Sequence, residues 1–238
     1  MLMDKVIGHR GVAAEAPENT LAGCRMAAEK GFRWIEVDVT LLGDQTAVLF
    51  HDRRLNRTTN KKGSLRAACK ALLADIDAGS WLSSQFAGEP IPTLHEALVA
   101  IKQLNVGLNI EIKVNGCSKR QLVTTLLKEI GNTGFPKDRL VVSSFNYSAL
   151  KMFADESDIA TACLFERLPL SWKRKARKVN ARSINLGQAK VSRIKIEKVK
   201  AAGFEVYCYT VNSKERFEKL LAWGVDGVFT DTSSLLDK

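Results

Sequence analysis

The chain has 238 residues, 45% hydrophobic and 26% charged, with a formal net charge of +10, a balance that suits one soluble globular domain able to bury a full core. No stretch approaches the roughly 18 uninterrupted apolar residues that a membrane helix needs. The five cysteines are widely spaced and lack C-x-x-C or zinc-ligand spacing, which excludes a thiolate metal framework and fits a reducing cytoplasm.

From the N-terminus, the chain runs almost directly into a first strand at Val6-Ile7-Gly8, an opening that leaves no room for a signal peptide. Short β-rich runs then alternate with helix-length segments, placing strands near Val6, Ile35, Leu108, Leu140, Ile159, Ser183, Val206 and Val228. Helices are expected over 19–30, 94–104, 119–131, 147–154, 170–179, 191–202 and 213–223. Asn19, Ser118, Asn146 and Asn212 or Ser213 read as N-terminal caps, and Gly31, Gly203 and Gly224 as C-terminal stops. Repeated strand-helix units of this number predict a closed (β/α)8 TIM barrel in a single domain, 1–238. One segment, about 52–92, breaks the rhythm and reads as a small insertion after strand 2, on the face where barrel loops build active sites.

The second strand carries the first chemical signal. In Trp34-Ile35-Glu36-Val37-Asp38-Val39 the apolar residues share one face, so Glu36 and Asp38 point together into the barrel. Leu108-Asn109-Ile110-Glu111-Ile112-Lys113 repeats the pattern and adds Glu111. Buried carboxylates are costly without a counter-charge. Three of them without histidine or thiolate partners suit one hard divalent cation, Mg²⁺ or Ca²⁺. An ion-pair network with Lys113 and Arg10 is the competing explanation.

His9, in Gly8-His9-Arg10-Gly11, and His51, in Leu49-Phe50-His51-Asp52, both fall at strand ends facing the same mouth. A histidine pair can supply a base for the attacking oxygen and an acid for the leaving alkoxide. Arg10 and Lys113 add fixed positive charge suited to phosphate oxygens. His95 falls in a helix first turn and is expected on the surface, and Cys163 and Cys208, in apolar runs, are expected to be buried and inert.

Residues 171–200 hold eleven Lys or Arg against the single Glu197. Such a run attracts nucleic acid, anionic lipid or anionic substrate, although a solvated helix face is the commoner explanation.

Together Gly8-His9-Arg10-Gly11, Pro17-Glu18-Asn19-Thr20, Glu36-Val37-Asp38-Val39, His51-Asp52 and Glu111-Ile112-Lys113 resemble the glycerophosphodiester phosphodiesterases, in order and spacing. Val142-Ser143-Ser144-Phe145, Thr210-Val211-Asn212 and 224–231 resemble that family's later strand ends, so the likeness spans nearly the whole chain.

The resemblance implies hydrolysis of small-molecule glycerophosphodiesters to an alcohol and sn-glycerol 3-phosphate, with a divalent cation at Glu36, Asp38 and Glu111. It implies His9 and His51 as the acid/base pair, Arg10 and Lys113 as phosphate contacts, and a supporting role for Glu18 beside the site. Tyr209 stands where the family often has Trp, a change that bears on glycerol packing, and Asp44-Gln45 replaces a usual Asp-Gly turn. The competing functions are a lysophospholipase D-like lipid phosphodiesterase and a non-catalytic phosphate- or nucleic-acid-binding barrel. Nucleic-acid binding and stable membrane anchoring are not expected: the basic run has no aromatic platform beyond Trp172, and no amphipathic anchor is evident.

Overall fold

A computed structural model describes residues 2–236. Among the described residues nine strands form one sheet: β1 (Val6–Gly8), β2 (Trp34–Leu41), β3 (Ala47–Leu49), β4 (Gly107–Ile112), β5 (Leu140–Ser144), β6 (Ala160–Phe165), β7 (Ala181–Gly187), β8 (Glu205–Tyr209) and β9 (Gly227–Thr230). Eight of them run parallel and close into a barrel, because β1 pairs with both β9 and β2. The ninth, β3, was not anticipated. It turns back antiparallel on β2, with Val39 opposite Leu49, so it extends β2 as a hairpin and opens no strand-helix unit of its own.

Seven α-helices among the described residues cover the barrel: α1 (Leu21–Glu29), α2 (Leu94–Gln103), α3 (Lys119–Thr133), α4 (Tyr147–Glu156), α5 (Trp172–Lys178), α6 (Arg193–Lys200) and α7 (Lys214–Ala222). A 3₁₀ turn, Ser233–Leu235, stands in place of an eighth. Ser118, Asn146 and Ser213 cap their helices as expected, and Gly31, Gly203 and Gly224 take the positive φ of helix stops. Asn19 does not cap α1. Thr20 does, accepting the Gly23 N–H, while Asn19 adopts φ 56° and spends its side chain elsewhere. None of the described helices is long and apolar enough to cross a membrane.

The strand alternation sorts the interior. Ile35, Val37 and Val39 pack outward with the helices in the main core. Inside the barrel, Ile7, Val141, Ala162, Tyr207 and Phe229 join Met3 in an apolar plug toward the strands' N-terminal ends. The polar inward residues lie above it. Asp38 stands beside Glu111 and Glu111 beside Ser143 in the strand register, so neighbouring strands deliver the carboxylates to one level.

Residues 50–93 form the excursion expected after the second strand, built from three short 3₁₀ helices rather than α-helix. It has its own apolar cluster, in which Leu55, Leu65, Leu73, Ile76 and Ile91 pack on Leu42, Val48 and Phe50. Two aspartates pin it, Asp44 from the β2–β3 turn and Asp77 from within. Asp44 accepts from Thr46 and Lys70 N–H, with Gln45 at φ 72° where a glycine is usual. Asp77 accepts from Gly79, Ser80 and Gly88 N–H, which hold its carboxyl well below the usual carboxylate range. A carboxyl depressed by folding contributes stability above its unfolded pKa and loses it as pH falls through the folded value. The excursion's unfolding is therefore expected to be steeper with acidification below about pH 4 in the native chain than in Asp77→Asn, as measured by hydrogen exchange across 50–93.

Candidate active site

The tight Gly8-His9-Arg10-Gly11 turn delivers two side chains to the barrel mouth. Gly8 packs against the Gly11 carbonyl so closely that any Cβ would collide with it. Arg10 follows at φ 53°, a left-handed conformation uncommon for a long side chain.

His9 and His51 line one cavity of about 200 Å³, together with Arg10, Glu36, Glu111, Lys113 and Tyr209. Each imidazole is held by a carboxylate through Nδ1: His9 lies 2.7 Å from Asp231 Oδ1, and His51 2.6 Å from Asp52 Oδ1. With Nδ1–H donating to the carboxylate, Nε2 is the atom left to face the cavity. Asp231 also accepts from Asn212 Nδ2 at 2.8 Å, and Asp52 from Arg57 Nε at 2.8 Å. Burial raises both carboxyls, but these hydrogen bonds outweigh it. Asp231 stays below its usual range, and Asp52 falls to about 2. Burial, aided by the nearby Arg10 and Lys113 charges, lowers His51 despite the attraction of Asp38 and Asp52.

Glu36, Asp38 and Glu111 each offer a carboxylate oxygen, all within 4.8 Å of one another, and all three residues are buried. Asp38 is the most enclosed, at 1% exposure, and does not line the cavity directly. It receives Asn19 Nδ2 on Oδ2 at 2.8 Å, and its own N–H donates to Asn19 Oδ1. Arg10 Nε at 3.2 Å and Lys113 Nζ at 3.3 Å complete its surroundings. Burial raises Asp38, but Lys113 and Arg10 outweigh it and lower its pKa. Glu36 and Glu111 go the other way: burial, then carboxylate neighbours, push Glu36 well above the usual range and Glu111 to about 7.

A divalent cation fits these residues. Glu36 Oε1 is buried without a hydrogen-bond partner, as is Asn109 Oδ1 beside it in the cavity lining. An oxygen-only donor set with an excess of negative charge is what Mg²⁺ or Ca²⁺ requires. Arg10 and Lys113 do form the ion pairs expected of a metal-free network, yet they leave Glu36 Oε1 unsatisfied.

The other expected site residues divide. Lys113 Nζ reaches Glu111 at 2.7 Å and lies 5.6 Å above the Phe145 ring. Tyr209 lines the cavity, edge-on to Phe145 at 5.8 Å, with its hydroxyl buried and unbonded. Glu18 does not line the cavity. It is clamped between Arg10 Nη1 at 2.8 Å and Arg57 Nη1 at 2.6 Å, one step behind. His95 is on the surface, 2.9 Å from Glu129, and burial pushes the Cys24, Cys163 and Cys208 thiols up to about 12.

Asp231, Asp52 and Arg57 had no role assigned from the sequence, and Asn19 was expected only as a helix cap. Only Asp52 had a local signal, its adjacency to His51. Replacing Asn19 with Ala is expected to cost about 2 kcal/mol, since it removes two bonds to a buried carboxylate residue. Gly at the same position relieves the backbone but restores neither bond, so urea midpoints of both variants are expected to fall.

Residues 9–235 match the Glycerophosphoryl diester phosphodiesterase family. A glycerophosphodiester phosphodiesterase of Caldanaerobacter subterraneus is 33% identical over 233 residues, covering 97% of this chain and 95% of the relative. One from Bacillus altitudinis is 30% identical over 237 residues, covering 96% and 95%. Among solved structures, an Oleispira antarctica phosphodiesterase in complex with the product sn-glycerol-3-phosphate superposes with a TM-score of 0.93 at 34% identity, covering 98% of this chain and 95% of that one. With the match running nearly end to end, this chain belongs to the glycerophosphoryl diester phosphodiesterase family and is an enzyme of the phosphoric diester hydrolase class.

Proposed function

We propose that this enzyme hydrolyses small glycerophosphodiesters to an alcohol and sn-glycerol 3-phosphate, using a divalent cation and the His9/His51 pair, within one catalytic barrel domain over 1–238. The observation that carries the reading is the cavity with two carboxylate-anchored imidazoles beside three clustered carboxylates and two cationic side chains.

Glu36, Asp38 and Glu111 would hold the cation. When bound, it supplies Lewis-acid polarisation and charge neutralisation at a phosphate oxygen. Arg10 and Lys113 bring further positive charge to the same phosphate, where negative charge grows in the transition state. Glu18 and Arg57 keep Arg10 in position. His51, held neutral by its burial, suits the proton-accepting role at the attacking oxygen, and His9 the donation to the leaving alkoxide. Asp52 fixes the His51 tautomer by occupying Nδ1, and Asp231 accepts from His9 Nδ1 and supports the ring while it carries the Nε2 proton to be donated. Phe145 and Tyr209 wall the cavity with apolar surface against which the glycerol carbons can pack.

The test is release of glycerol 3-phosphate from glycerophosphocholine and glycerophosphoethanolamine with Mg²⁺, Ca²⁺ or chelator. Release that requires the cation supports the reading; no release from folded protein with either cation overturns it. Trapping a cyclic glycerol phosphate during turnover would identify the glycerol hydroxyl as the nucleophile, and its absence with direct label uptake from water would identify water.

A further inference from the structure

The exposed apolar residues are not scattered. Among the described residues six large ones are exposed, and three of them, Phe145, Leu170 and Ile194, follow the adjacent strands β5, β6 and β7 at the barrel mouth. Leu170 is entirely exposed, at 102%, and Ile194 is 76% exposed. Leu170 lies near the end of the segment 166–171 between β6 and α5, and Ile194 in the first turn of α6, so β6–β7 pairing places them on neighbouring segments of one arc of the rim.

Positive charge surrounds them. Arg167, Lys173, Arg174 and Lys190 are exposed on the same two segments and make no ion pair among the described residues, while Arg193 engages Glu197. Lys173 and Arg174 occupy the first turn of α5, and Arg193 and Lys195 that of α6, with no acid in either turn. Cations there oppose the helix dipole, so their placement does not serve helix stability. Helical side chains also lean toward the helix N-terminus, which carries these charges toward the mouth.

We propose that this arc docks reversibly on an anionic lipid bilayer, with Leu170 and Ile194 entering the headgroup boundary and the surrounding cations facing lipid phosphates. Charge complementarity selects an anionic surface, and protruding aliphatic tips select a bilayer over nucleic acid. Single-stranded nucleic acid needs aromatic platforms. Trp172, the aromatic residue inside the basic run, is 3% exposed and packs edge-on against Phe204 at 5.7 Å. Two aliphatic tips and a few cations give weak, salt-sensitive attachment rather than anchoring. Docking in this orientation turns the cavity mouth toward the membrane, where deacylated and partly deacylated phospholipids arise.

The test is co-sedimentation of the full chain with phosphatidylcholine vesicles, with and without phosphatidylglycerol, at low and high salt, beside an RNA-binding titration. Binding that needs phosphatidylglycerol and low salt is expected, falling by roughly tenfold in the Leu170→Ser/Ile194→Ser double variant and further in Lys173→Glu/Arg174→Glu. Turnover of soluble glycerophosphocholine is expected to be unchanged in both, and matching melting temperatures show that they fold. Absence of binding to anionic vesicles, equal binding by the double variant, or tighter binding to RNA than to vesicles overturns the proposal. Vesicle binding is read without turnover, so its failure is separate from failure of the catalytic reading.

Discussion

His9→Ala is expected to lower kcat for glycerophosphocholine by about 10²–10⁴, the range lost with a positioned acid or base, while leaving the fold intact. His9 is partly exposed at the cavity, so its removal leaves no apolar void. Asp231→Asn is the more informative partner. To donate from Nε2, His9 must carry both ring protons, and Asp231 steadies that imidazolium by accepting from Nδ1 with a full negative charge. An asparagine removes the charge, and its amide can donate to Nδ1 and hold the ring as the neutral Nε2–H form, a much weaker acid. A loss in kcat is expected without a matching change in KM. If Asp231 acts only through His9, adding Asp231→Asn to His9→Ala costs little more, because residues working as one unit are not additive. Equal losses in both backgrounds would give Asp231 a separate part.

The same pairing explains what could and could not be read in advance. Glu36, Asp38 and Glu111 were legible because alternation on a strand needs only neighbours two residues apart, and the apolar Ile35, Val37 and Val39 set the face. Barrel closure followed from the rhythm of strands and helices. By contrast, Asp231 meets His9 across 222 positions, and Arg57 meets Glu18 across 39. No local pattern encodes such contacts; they exist only once β1 lies beside β9 and the excursion after β3 folds back on the mouth.

Asn19 misled for a related reason. It has a good capping side chain and precedes a helix, but so does Thr20, and a buried carboxylate at Asp38 competes for the amide. The side chain goes where its loss would be costlier. The basic run was legible as composition, whereas its division between a rim with free cations and helix ends far from the mouth depended on strand order.

Adding Mg²⁺ or Ca²⁺ is expected to raise the melting temperature by about 5–10 °C at a hundredfold excess over Kd, the equivalent of about 2.7 kcal/mol for a chain this long. The sign with pH follows from the raised carboxyls. Without a cation, Glu36 and Glu111 bind protons more tightly folded than unfolded, Glu111 titrating at about 7 against a usual 4.5. Their contribution is complete below the unfolded pKa and is lost as pH rises through the folded value. The cation-free protein is therefore expected to lose stability from this cluster between about pH 4.5 and 7, and the cation to restore it most above that window, where it displaces no protons. Glu36→Gln separates the cation from unrelated salt effects. It removes one of three mutually repelling charges, so the cation-free variant is expected to melt no lower than the native chain at pH 8, while the cation-induced rise largely disappears. An undiminished rise in Glu36→Gln would place the cation elsewhere, and a variant that melts far lower without cation would mean that Arg10 and Lys113 already satisfy the carboxylates as a self-sufficient network.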